Sequence, residues 1–93
     1  MEESKRVIIT VLGHDRVGIT AAIANILASS NINILDISQT ILQGFFTMVM
    51  VVDISGSAVE LGELRDLLTA KGREMELEIT VQHEDIFRFM HRI

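Results

Sequence analysis

The chain has 93 residues, a formal net charge of −5 and no cysteine, which fits one domain and excludes disulfides, thiol catalysis and cysteine-ligated metals. An acidic chain without Trp or Tyr lacks the basic surface and most of the stacking platforms that nucleic-acid binding uses. The apolar share of 48%, or about 54% with the six glycines, exceeds the usual ~45–50% and points to apolar surface buried beyond one monomer.

The charged start, MEESKR, has no apolar run ahead of a cleavage site, so a cytoplasmic protein is expected. Lys5 to Leu12, KRVIITVL, is β-branched and apolar and predicts a first strand. Gly13–Arg16 predicts a turn, with Asp15 as N-cap of the helix that follows. Ile19, Ala22, Ile23, Ile26 and Leu27 recur at helical spacing through about Ser29, and Asn31 is placed to end the helix in the left-handed conformation. The uncharged run over residues 17–35 is long enough for a bilayer. Its Thr, Asn and Ser residues make a protein-covered helix the better reading, with no membrane partner.

Ile32 to Leu42 predicts a second strand, Gln43-Gly44 a hairpin turn, and Phe45 to Ile54 a third strand apolar on both faces. Ser57-Ala58-Val59-Glu60 has the form of a capping box ahead of Leu61, Leu64, Leu67 and Leu68. A second helix follows, with Gly72 as its expected end. Glu74 to Glu84 alternates acidic or polar with apolar residues, the pattern of a strand with one face in water. In the last residues, IFRFMHRI, Ile86, Phe89, Met90 and Ile93 share one helical face. Such a tail covers its own sheet or a sister subunit, or docks on a partner enzyme.

The order β-α-β-β-α-β predicts an α+β, ferredoxin-like sandwich: an antiparallel sheet of order 4-1-3-2 with two helices on one face. One domain spans residues 1–93, its core over about 5–84 and a tail over 85–93. The second strand becomes an edge whose Ile34, Leu35, Ile37, Ile41 and Leu42 surround a single charge, Asp36, and invite pairing with another copy.

Residues 13–20, GHDRVGIT, come within one residue of the phosphate-cradling P-loop, but Ile19 stands where that motif needs lysine. A glycine-bearing strand-to-helix turn has another use. It presents free backbone N–H groups of residues 16–19 at a helix N-terminus, which suits an anion. The plainer reading has Asp15 capping the helix and Gly18 letting helix approach strand. His14 reads as an exposed turn residue, a ligand contact or a metal ligand, the first being the plainest. His83, Glu84, Asp85 and His91 match no metal motif, and no serine has a neighbouring His–acid pair, so neither a metal site nor catalytic residues are expected.

With the D-R-x-G-I turn (Asp15 to Ile19) and the N-I-x-x-x-x-Q run (Asn33 to Gln39) placed in order, the chain resembles the ACT domain family over roughly residues 5–84. It is most similar to the short, free-standing bacterial and archaeal members of unassigned function. That resemblance implies a regulatory module rather than an enzyme. It would bind an amino acid or related carboxylate at a homodimer interface, without a cofactor, and act on a regulated enzyme or regulator. The implied ligand set is Gly13, His14, Asp15, Arg16, Val17, Gly18 and Ile19, with Asn33 and Ile34 opening the second strand of a neighbouring copy. The family pattern usually has proline after the arginine; Val17 stands there, so the turn is less pre-organised. Asp15 occupies a position often held by Asn, and as an anion it would hold an α-ammonium group. Two alternatives stand beside this reading. One is a protein-interaction module with an empty pocket, acting through its tail or sheet edge. The other is an acylphosphatase-like enzyme using Arg16 and Asn33, which lacks that family's glycine-rich arginine loop.

Overall fold

The computed structural model of the chain describes residues 5–85. It holds β1 (Arg6–His14), α1 (Ile19–Ser29), β2 (Asn33–Leu42), β3 (Phe45–Asp53), α2 (Leu61–Met75) and β4 (Leu77–His83). The strands form one antiparallel sheet in the order β2-β3-β1-β4, the predicted order read from the other edge. The tail expected over 85–93 lies, from residue 86 onward, outside the described residues.

Alternation in the strands and helical spacing in α1 and α2 converge on one layer of contact. Val7, Ile9 and Val11 of β1 and Phe46, Met48, Met50 and Val52 of β3 point to the helices and are buried. Ile19, Ile23 and Leu27, four residues apart, make the buried stripe of α1; Leu64 and Leu68 make that of α2. Burying each such Ile or Leu contributes ~1.5–3 kcal/mol against exposure. Arg65 reaches from α2 to the edge and donates from Nη2 to the Val81 carbonyl at 2.9 Å.

The connections follow from backbone chemistry. Asn31 takes φ 59° after α1, as its sequence position suggested, and its side chain donates to the Gly56 carbonyl at 2.8 Å. Gln43 (φ 54°) and Gly44 (φ 83°) are both left-handed, the requirement of a two-residue hairpin whose twist matches its strands.

Three local expectations are corrected. Asp15 does not cap α1: the N-cap is Gly18, with no side-chain cap, because residues 15–18 are spent on reversing the chain before the helix starts. Ser57 does not cap α2: its hydroxyl accepts from the Val59 N–H at 3.1 Å, closing a turn two residues on, so the helix begins only after Glu60. Gly72 does not end α2, which runs on to Met75 and stops at Glu76 with φ 60°. A Cβ at Gly72 would stand 2.8 Å from the Leu77 carbonyl oxygen, so the glycine serves the close approach of helix to β4. The fourth strand therefore starts at Leu77, not Glu74.

The uncharged run over residues 17–35 divides among a loop, the eleven-residue α1 and the start of β2. Among the described residues no helix is long and apolar enough to cross a membrane.

Candidate functional site

The turn between β1 and α1 is built from both ends. Gly13 and His14 are the last residues of β1 rather than turn residues, paired with Phe46 and Phe45 of β3. The His14 ring stacks on Phe45 with centroids 5.1 Å apart and planes 25° from parallel. Asp15 donates its N–H to the Gly44 carbonyl at 2.9 Å, which fastens the loop to the β2–β3 hairpin. Arg16 donates from Nη1 to the Met75 carbonyl at 3.3 Å, at the C-terminal end of α2 where carbonyls lack helical partners. Ile19 is buried in the core and fixes where α1 begins.

Between these anchors the loop is open. Asp15, Arg16, Val17 and Gly18 are all exposed, Val17 at 99%. Gly18 has φ 92°, a conformation that costs an ordinary L-residue ~1–2 kcal/mol, and no atom lies within 4 Å of where its Cβ would stand. The first helical bond runs from the Ala22 N–H to the Gly18 carbonyl at 2.9 Å. The preceding N–H groups thus stand at the positive end of the helix dipole without helical acceptors. This flank offers backbone donors, a nearby carboxylate at Asp15 and no side chain in the way at Gly18. Those are complementary features for a small zwitterion.

Two polar groups that sequence reasoning did not place in the site border it. Thr20 donates its hydroxyl to Gln39 Oε1 at 3.2 Å and lies 3.9 Å from the Met48 sulfur. Gln39 belongs to the same strand face as Ile37 and Ile41, opposite the buried Met48. That parity was the available signal: a polar residue in an apolar row beside the loop.

Asn33 and Ile34 are not brought to this loop within one chain. Asn33 pairs with Asp53, whose other neighbour is Arg6 at the start of β1; the loop end of the sheet holds Leu42, Phe45 and His14. The nine residue steps from Asn33 to Leu42 cover ~30 Å of strand.

The far end of the sheet has its own electrostatics. Asp53 accepts the Ser55 N–H at 2.8 Å, and this bond, with the Ser55 hydroxyl and the charge of Arg6 assisting, holds its carboxyl below the usual carboxylate range. His83 Nδ1 lies 3.8 Å from an Asp85 oxygen. Among the described residues no three His, Cys, Asp or Glu side chains are placed to hold a metal ion. A separate cleft of about 460 Å³ lies between the helices, lined by Asn25, Ile26, Ser29, Ser30 and Leu67. It sits at the other end of α1 from the loop and offers no charged group to a zwitterion.

The sequence pattern of the ACT domain family matches residues 5–82. The chain belongs to the ACT domain family. Its relatives are small proteins of the same extent. It is 52% identical over 90 residues to a UPF0237 protein of Methanosarcina acetivorans, covering 97% of this chain and 98% of that one. A UPF0237 protein of Listeria innocua is 49% identical over 88 residues, covering 95% and 99%. Among solved structures, an ACT domain protein from Streptococcus pneumoniae superposes with a TM-score of 0.78 at 38% identity, covering 91% of this chain and 96% of that one. ACT domains are a family of regulatory ligand-binding modules. In this ACT domain the ligand set implied by the resemblance divides in two: residues 13–19 gather at one sheet end, and Asn33 and Ile34 lie at the other.

Proposed function

We propose that this ACT domain is a sensor, acting as a homodimer that binds an amino acid or related small carboxylate between its two copies. The observation that carries the reading is the β2 edge. Every residue of β2 is exposed, including the large apolar Ile34, Leu35, Ile37, Ile41 and Leu42. A long, apolar, unpaired edge strand is a template for another strand. If two β2 edges pair antiparallel about a two-fold axis, residue 33 of one copy falls near residue 42 of the other. Asn33 and Ile34 of the partner then arrive at the loop end of the sheet, which a single chain cannot achieve.

In that arrangement the ligand carboxylate sits on the N–H groups at the start of α1, those from Gly18 up to the first helical bond at Ala22, and Asp15 holds the α-ammonium. Gly18 leaves room for the backbone approach, and the partner's Asn33 side-chain amide adds a hydrogen bond. The ligand bridges two chains and so stabilises the dimer by mass action. Sensing is then the coupling of ligand concentration to assembly, read by an enzyme or regulator that contacts the dimer. No group in the loop is arranged as a nucleophile with its base, and the reading involves no chemical step. A cytoplasmic location fits a sensor of this kind.

The test is thermal melting against the twenty amino acids and common metabolite carboxylates, with light scattering for mass. A selective rise in melting temperature, lost in the Asp15→Ala/Asn33→Ala double variant, is the expected result. A stable dimer that shifts with no compound would favour an interaction module instead. The exposed outer-face side chains Leu12, Leu42 and Phe45 would then be the first surface to test.

A further inference from the structure

The two outer edges of the sheet, β2 and β4, are kept differently. The register fixes which backbone groups each one shows. The Ile54 N–H bonds the Lys5 carbonyl at 2.9 Å, so Lys5 and Ile54 are a hydrogen-bonded pair. Alternation along an antiparallel ladder then turns the odd-numbered residues of β1 toward β3 and the even-numbered ones toward β4. Ile8, Thr10 and Leu12 therefore bond Gln82, Thr80 and Glu78, and Leu77, Ile79 and Val81 direct their N–H and C=O groups away from the sheet at the β4 edge. By the same count Ile37, Gln39 and Ile41 show theirs at the β2 edge.

Helix α2 guards the β4 edge at two points. The Leu77 carbonyl lies against Gly72, where an added Cβ would stand 2.8 Å from it. The Val81 carbonyl accepts from both Nε and Nη2 of Arg65, at 3.3 and 2.9 Å. These two carbonyls bracket Ile79, so an incoming strand finds no unbroken run of acceptors. At the β2 edge the Ile37 N–H is met at 2.8 Å by the carboxylate of its own neighbour, Asp36. One side-chain rotation releases a local contact of that kind.

The contrast matters because β2 has a second partner open to it by geometry. β1 runs antiparallel to β3 and to β4, and β3 to β2, so β2 and β4 run in opposite directions. A copy displaced sideways without rotation would lay its β4 beside β2 as one more antiparallel pair, with every helix still on the same face. That join is heterologous and does not close, so it adds copies without limit, whereas a β2–β2 join closes at two.

We propose that Arg65 restricts self-association to the β2 edge: by filling the Val81 carbonyl it denies β4 to the β2 strand of another copy and ends assembly at the pair. The pairing of β2 is itself taken from the sensor reading above. Arginine suits this post, since it stays charged and its rigid fork brings two N–H groups to one oxygen. An occupied edge acceptor is one of the ways a sheet avoids running on.

Arg65→Ala and Arg65→Met, the second keeping an aliphatic stem, are compared with wild type by sedimentation and light scattering over a concentration series, with circular dichroism for the fold. The expected result is a wild-type mass that levels off, and a mass in both variants that climbs several-fold above it without levelling off. Arg65→Lys keeps a donor and should restore most of the limit. Ile37→Lys added to Arg65→Ala should stop the growth, because β2 is the strand that fills the vacated edge. Folded variants that keep the wild-type mass at every concentration would overturn the proposal, as would loss of the fold in both, which would make Arg65 a structural prop. Growth that survives Ile37→Lys would also overturn it, since that growth would not use β2. A wild-type monomer would contradict the homodimer of the sensor reading but not the guard, which is read from the change that substituting Arg65 makes.

Discussion

Gly62 and Gly72 lie in the same helix, and replacing each with alanine should move stability in opposite directions. At Gly72 an added Cβ would stand 2.8 Å from the Leu77 carbonyl oxygen and 3.3 Å from Cγ1 and Cδ1 of Ile79. The oxygen belongs to backbone fixed between the end of α2 and the start of β4, so it cannot swing aside as a side chain would. Forcing a methyl into such a contact costs ~1–3 kcal/mol, while alanine's better helix propensity returns ~1 kcal/mol. Because the opposing atom is backbone, the upper part of that range, ~2–3 kcal/mol, applies, and the net loss is ~1–2 kcal/mol, a fall of roughly 5–15 °C in Tm for a domain of this size. At Gly62 nothing lies within 4 Å of the added Cβ, so only the propensity term remains. Gly62→Ala should therefore gain up to ~1 kcal/mol and raise Tm by about 4–8 °C. Thermal and urea denaturation followed by circular dichroism, at one fixed protein concentration, measures both. A Gly72→Ala protein as stable as wild type would refute the close-approach account of that residue and with it the placement of β4 against α2.

Gly18→Ala should lose about 1–2 kcal/mol even though its surroundings are empty, because the cost lies in the left-handed backbone; urea unfolding measures it. Ile37→Lys should leave the monomer's fold within about 0.5 kcal/mol of wild type, since the side chain is 41% exposed, but should abolish dimerisation in light scattering. Asp53 has a carboxyl pKa lowered in the folded state, so its contribution to stability is complete above the ordinary carboxylate range and disappears as pH falls through the folded value. Asp53→Asn should flatten that part of the acid-unfolding curve while leaving stability at neutral pH dependent on the retained Ser55 bond.

What the sequence made legible was whatever is decided locally. The alternation of β3 and the four-residue stripe of α1 specify their buried faces directly, and Asn31 and Gly44 announced positive φ by residue type, whereas that of Gln43 comes from the two-residue hairpin it sits in. Gly72 was misread as a helix end because its reason, the Leu77 carbonyl, comes from a strand that folds back five residues later. Asp15 and Ser57 were misread as caps for a related reason: both residue types bond readily to nearby backbone, and which bond forms depends on where the loop is anchored. Asp15 is tied down by Gly44, across a hairpin that a residue count along the chain does not reveal. The loop of residues 13–19 was visible as a unit, whereas Thr20 and Gln39 came into view only when α1 lay against β2. Asn33 lies at the wrong end of its own sheet for that loop, and its part in a site requires a second copy.

The central claim is that each site takes Asp15 from one chain and Asn33 from the other, and mixing two inactive variants tests it most directly. Asp15→Ala and Asn33→Ala proteins, each unable to bind the ligand found in the melting screen, are unfolded together, refolded in equal amounts and titrated by calorimetry. A shared site predicts that half the dimers are mixed and that each mixed dimer regains one intact site, restoring roughly a quarter of the wild-type sites at wild-type affinity. No recovery, in a mixture shown by mass to contain mixed dimers, would contradict the shared site and return Asn33 to a purely structural place at the sheet margin.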